Sequence, residues 1–199
     1  MAGSSSRTTL PRKNDSSIVG ADIYLYDKRR EDIDARINAW INEPKHQGIL
    51  SRLGLSPNEE RSMVHIWQGG IDKESKALAK EFEKLQETHY FRDSYNATSL
   101  FWRLGLSWWQ LAGDDIIDDN NVMSAINIQL LLERFYEVRG DRLSDDAIEK
   151  WHGANMENEM ISDEQTWQEW AEYFREKGER FEQFCKRTLE NDGHWQCSV

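Results

Sequence analysis

The stretch from Ser99 to Tyr136, SLFWRLGLSWWQLAGDDIIDDNNVMSAINIQLLLERFY, constrains the fold more than any other part of the chain. It holds three of the nine tryptophans, the longest apolar run, and a dense cluster of carboxylates at Asp114, Asp115, Asp118 and Asp119. A Trp-rich helical pattern leads into the aspartates and a second apolar helix follows them. Apolar surface on that scale has to be covered by the rest of the chain, so this stretch is expected at the centre of the core.

The flanking segments supply the cover. Ile33, Ile37, Trp40 and Ile41 fall on one helical face, and Pro44 ends that helix near Asn42. Ser56-Pro57-Asn58-Glu59 reads as a capping box with proline at the first helical position, and Gly69-Gly70 stops the helix it opens. Ile71, Leu78, Phe82 and Leu85 recur with mixed charge between them, the pattern of a bundle helix with one wet face. Beyond the central stretch Gly140 breaks the chain, and Ser144 caps a short acidic helix ending at Trp151-His152-Gly153. Ser162-Asp163-Glu164-Gln165 opens the longest helix, striped by Trp167, Trp170, Ala171, Phe174, Gly178, Phe181, Cys185 and Leu189 and closed at Asn191-Asp192-Gly193.

Three segments resist a helical reading. Met1 to about Ser17 is Ser-, Arg- and Lys-rich and is expected to be disordered. Ile18 to Tyr26 leans toward β structure, but a strand without a partner makes no sheet, so it is read as an extended arm. Tyr90 to Thr98 reads as a loop, and HWQCSV as a tail whose Trp195 docks on the body. The expectation is therefore an all-α fold: a disordered tail over 1–17, a single-domain bundle of six to eight helices over 18–193, and a C-terminal tail over 194–199.

Charge narrows the partners. Of the 25 basic and 36 acidic side chains, residues 101–199 hold 10 and 21, so the whole net charge of −11 falls in that half. Phosphate backbones need a basic face, which argues against nucleic acid. No apolar run approaches the ~20 residues of a membrane span. The first residues lack the apolar core of a secretory signal, so the reading is cytoplasmic. Cys185 and Cys197 have neither a disulfide framework nor metal-ligand spacing.

Only the aspartates present a recognisable chemical pattern. On one continuous helix, Asp114 and Asp118 would share a face, as would Asp115 and Asp119, and carboxylates that close favour a hard cation. Asp114-Asp115-Ile116-Ile117-Asp118 resembles the DDxxD motif of class I prenyl-diphosphate and terpenoid synthases, and Phe101, Trp102, Trp108 and Trp109 resemble the aromatic helix that precedes it there. The resemblance implies an all-α fold in which Asp114, Asp115 and Asp118 hold Mg²⁺ with a substrate diphosphate. The second metal motif of those families, another DDxxD or an NDxxSxxxE, does not occur in the chain. The alternative is structural: Gly113 ends one helix, and Asp114 or Asp119 caps the next.

The expected function is an acidic, helical interaction or regulatory module that binds another protein, with no cofactor. An Mg²⁺-dependent isoprenoid-diphosphate protein is the rival, and a helical bundle with a Trp-lined pocket for an apolar ligand is the third reading. Trp108 and Trp109, adjacent and about 100° apart on a helix, are the candidate ligand or partner surface. Trp40, Trp67, Trp102, Trp167 and Trp170 are expected in the core.

Overall fold

In a computed structural model the described residues are 20–52, 71–106, 116–161 and 164–198. They form β1 (Gly20–Tyr26), α1 (Lys28–Asn42), α2 (Pro44–Arg52), α3 (Lys73–His89), β2 (Tyr90–Ser94), α4 (Leu100–Arg103), β3 (Val122–Met123), α5 (Ala125–Arg142), α6 (Asp145–Glu157), α7 (Trp167–Glu190) and β4 (His194–Ser198). The protein is mostly helical, but it is not all-α. An antiparallel sheet with strand order β2-β1-β4-β3 runs through it.

The strand that lacked a visible partner has two. β1 pairs with β2, opposing Ile23 to Phe91, and with β4, opposing Leu25 to Trp195. Period-two alternation puts Ala21, Ile23 and Leu25 on the buried face, and Asp22, Tyr24 and Tyr26 on the half-exposed one. The supposed loop after His89 is therefore strand β2, and the supposed tail is strand β4, whose Trp195 and Cys197 point inward.

Two apolar clusters hold the helices. In the larger, Phe135 of α5 and Phe174, Phe181 and Phe184 of α7 pack with the inward residues of the sheet and with Leu100, Phe101 and Leu104. Phe181 meets Phe101 edge-on at 5.2 Å and Phe135 at 5.4 Å, a favoured aromatic geometry. The smaller cluster joins α1, α2 and α3 through Ile33, Ile37, Trp40, Ile41, Leu50, Leu78 and Phe82.

Several local boundaries move. α7 opens at Thr166, whose hydroxyl accepts from the Glu169 amide while the Glu169 carboxylate accepts from the Thr166 amide, so the capping box of this helix is Thr166–Glu169; Ser162 lies outside the described residues. Gly140 does not break α5, which runs on to Arg142, and α6 continues past Gly153 to Glu157. A lone glycine weakens a helix by only ~1 kcal/mol, which flanking turns and packing offset. The Ser56 capping box and residues 1–19 lie outside the described residues.

Candidate functional site

The Ser99–Tyr136 stretch is not one continuous helix. α4 lasts four residues: Ser99 caps it, and Gly105 at φ 79° turns the chain away. With Leu100, Phe101 and Leu104 facing the core, Trp102 is left on the outside at 55% exposure, so it is not the core residue its apolar neighbours suggest. Trp40 and Trp170 are buried, and Trp167 is half-buried.

Asp118 lies in a tight turn. Its Oδ1 accepts hydrogen bonds from the amides of Asn120 at 2.9 Å and Val122 at 2.8 Å, while its own amide donates to the Val122 carbonyl. Asn121 takes up φ 62°, a left-handed geometry asparagine tolerates. This turn presents the Asn121 carbonyl to the Cys197 amide and the Asn120 carbonyl to Gln196 Nε2, anchoring β4. Asp119 does not cap the following helix, because Ser124 does so, accepting from the Asn127 amide. The helical spacing that would bring Asp118 onto one face with Asp114 is thus absent at the Asp118 end. Asp114, Asp115, Trp108 and Trp109 lie outside the described residues. Among the described residues no three His, Cys, Asp or Glu side chains are grouped to hold a metal ion.

The described residues also present an apolar pair on α5. At 100° per residue, Ile128, Leu131, Leu132 and Phe135 cluster on the buried side, while Ile126 and Leu130 point almost opposite. Ile126 is 74% exposed and Leu130 58%. Glu133 and Glu137 continue the same outer face; Glu133 accepts from Gln129 Nε2, and Glu137 pairs with Arg134 at 3.0 Å. The face therefore runs from two bare aliphatic side chains into two carboxylates. By sequence this is the second apolar helix, with no face singled out as exposed. The signal was present, since Ile126 and Leu130 are four apart and fall off the 128–131–132–135 stripe.

Two buried polar groups serve the architecture. Asp93 accepts from the Ser99 hydroxyl and the amides of Leu100 and Phe101, and pairs with Lys177 at 2.7 Å, tying β2, α4 and α7 together. His46 stacks on Trp40 with ring centroids 3.9 Å apart, and its Nδ1 lies 2.7 Å from the Trp40 carbonyl oxygen, a satisfied core histidine. The thiols of Cys185 and Cys197 are buried, and burial pushes that of Cys197 up to about 12. Comparison with protein-family models, with curated proteins and with solved structures finds no match to this chain.

Proposed function

We propose that the protein is an acidic interaction module that docks a partner protein on the outer face of α5. The observation that supports this reading is the pair Ile126 and Leu130, two large aliphatic side chains left exposed on one helical face. Exposed aliphatics in register continue to contact water unless a partner covers them. The acidic continuation of the face through Glu133 and Glu137, in the half of the chain that holds all the net negative charge, selects the occupant: an amphipathic segment of another protein, apolar at one end and basic at the other. No helix among the described residues is long and apolar enough to cross a membrane.

The test is affinity purification from the source cells with the native chain and with Ile126→Glu/Leu130→Glu, followed by calorimetric titration of each purified candidate. A partner that binds the native chain one to one and the double variant at least about tenfold more weakly supports the reading, about 1.4 kcal/mol of binding free energy. Binding partners that are all indifferent to the double substitution overturn it. Self-association measured by light scattering and lost in the variant would replace the foreign partner with a second copy of this chain.

A further inference from the structure

Arg103 at the end of α4 and Arg142 at the end of α5 come together with no carboxylate between them among the described residues. A Cβ placed on Gly105 would lie 3.8 Å from Arg142 Nη2, so the Arg142 guanidinium rests on the turn that follows Arg103. Arg103 donates through Nη2 to the Ala147 carbonyl of α6 at 2.7 Å, while its Nε is buried with no hydrogen-bond partner. Among the described residues no carboxylate pairs with either guanidinium, although this half of the chain has 21 acidic side chains against 10 basic ones. Burial and the neighbouring Arg142 charge both hold the Arg103 pKa below the usual arginine range.

Two like charges held together, one with a buried idle donor, form an arrangement that a bound anion completes. We infer that Arg103 and Arg142 form a binding site for a phosphate dianion, free or as a monoester. Charge balance selects the ligand class: a carboxylate neutralises one guanidinium, whereas a phosphate dianion neutralises both and offers three oxygens to their planar donor sets. Gly105, at φ 79°, lets the backbone turn beneath the pair. The site is separate from the Ile126–Leu130 face. It sits at the other end of α5, 12 residues and about 18 Å along the helix from Leu130, so the two proposals stand or fall independently.

The experiment is thermal melting at about pH 8, where phosphate is mainly dianionic, in inorganic phosphate, acetate and chloride at equal ionic strength. Line broadening in phosphorus NMR provides the direct reading of binding. Phosphate is expected to raise the melting temperature above both other salts and to saturate in the millimolar range. Arg142→Gln, an exposed substitution, is expected to abolish that rise and to melt above the native protein in chloride, because the repulsion on Arg103 is gone. Arg103→Lys retains the charge but loses the planar fork, and is expected to weaken phosphate at least about tenfold. N-acetyl-phosphoserine amide is the second probe: tighter binding than inorganic phosphate assigns the site to a phosphorylated side chain, and weaker binding to the free ion. Equal responses to phosphate and chloride would overturn the site, as would a phosphate response retained in Arg142→Gln or a lower melting temperature of that variant in chloride. Acetate matching phosphate would overturn the dianion assignment.

Discussion

His89 Nε2 stands 3.1 Å from Asp27 Oδ2, with both residues buried where α3 passes into β2 and β1 into α1. The contact joins positions 62 residues apart and fixes the two helix–strand junctions that set β1 beside β2. Burial is the main influence on the imidazole and lowers its pKa; Arg29 and Arg187 lower it further, and the hydrogen bond to Asp27 only partly offsets them. His89 is therefore a neutral ring donating Nε2–H to a carboxylate. Burial also works against the Asp27 charge, but the Arg30 amide and the His89 and Arg29 hydrogen bonds outweigh it and hold that pKa below the usual range.

Both shifts make acid destabilising. For His89 the folded pKa is depressed, so below the unfolded value of about 6.5 the unfolded chain binds the extra proton and stability falls with pH. For Asp27 the stability is present above the unfolded value of about 3.9 and is lost as pH falls through the lower folded one. The melting temperature is expected to hold above about pH 7, decline as pH drops through 6.5, and decline further below about 4. Thr88 limits the first step, because its hydroxyl lies 2.9 Å from His89 Nδ1 and 3.1 Å from the Leu85 carbonyl and serves either ring state. His89→Gln should melt lower at neutral pH and flatten the slope between about pH 5 and 7. An unchanged slope in that variant would remove His89 from the acid response.

The Asp93–Lys177 pair predicts an asymmetry. Lys177→Met leaves a carboxylate still held by one hydroxyl and two amides, whereas Asp93→Ala leaves the Lys177 ammonium without its counter-charge, on the Thr98 carbonyl and Tyr173 hydroxyl alone, and also removes three acceptor contacts at the start of α4. Breaking a buried pair from one side costs about 3–5 kcal/mol. Lys177→Met is expected at or below the bottom of that range and Asp93→Ala at or above its top, measured by urea unfolding. Equal costs would show that the amides at α4 contribute little.

Gly193 sits where α7 turns into β4, and a Cβ there would lie 2.6 Å from Leu25 Cδ1 and 2.9 Å from the Tyr26 carbonyl oxygen. The second contact is backbone and cannot swing aside. Gly193→Ala is expected to cost about 1–3 kcal/mol by overpacking. Gly178→Ala meets only the Phe135 ring at 3.3 Å and Leu143 Cδ1 at 3.4 Å, and it gains helix propensity, so its net effect should stay within about 1 kcal/mol of zero. A larger loss at 178 than at 193 would contradict this reading of the α7–β4 junction.

What the sequence made legible follows the range of the interactions. The stripes of α1, α3 and α7 are local, period-3.6 patterns, and the faces they name are the buried ones: Ile33, Ile37, Trp40 and Ile41 in α1, and Trp170, Phe174, Phe181 and Cys185 in α7. The sheet was hidden because its pairings are not local. Tyr24 opposes Tyr90, and Leu25 opposes Trp195, so each strand in isolation looked like an arm, a loop or a tail. Trp102 misled because four helical residues have no room for a second inward face. At Asp118 the sequence carries two signals: DDIID suits a helix by spacing, while Asn120-Asn121 suits a turn, and it is the turn that forms around Asp118. The exposed pair on α5 was legible by angle, but only once the buried side of that helix was known.

The last prediction separates a structural from a metal-binding role for Asp118. Its Oδ1 organises the turn that holds β3 and β4, and asparagine retains that carbonyl-type acceptor. Asp118→Asn is therefore expected to leave the melting temperature nearly unchanged, whereas Asp118→Ala gives up two hydrogen bonds to backbone amides, each worth about 0.5–1.5 kcal/mol. Asp119→Ala, next in the chain and outside the cap at Ser124, should be close to neutral. Under the Mg²⁺ reading the order changes: a charge is required, and Asp118→Asn loses any stabilisation that Mg²⁺ with farnesyl diphosphate confers. Melting curves of the native chain, Asp118→Asn and Asp118→Ala, each with and without that pair of ligands, decide the question. The turn role predicts curves that differ only for Asp118→Ala and no ligand response in any of the three. A ligand-dependent rise in the native chain that vanishes in Asp118→Asn would transfer the aspartate from the turn to a diphosphate site and displace the interaction-module reading.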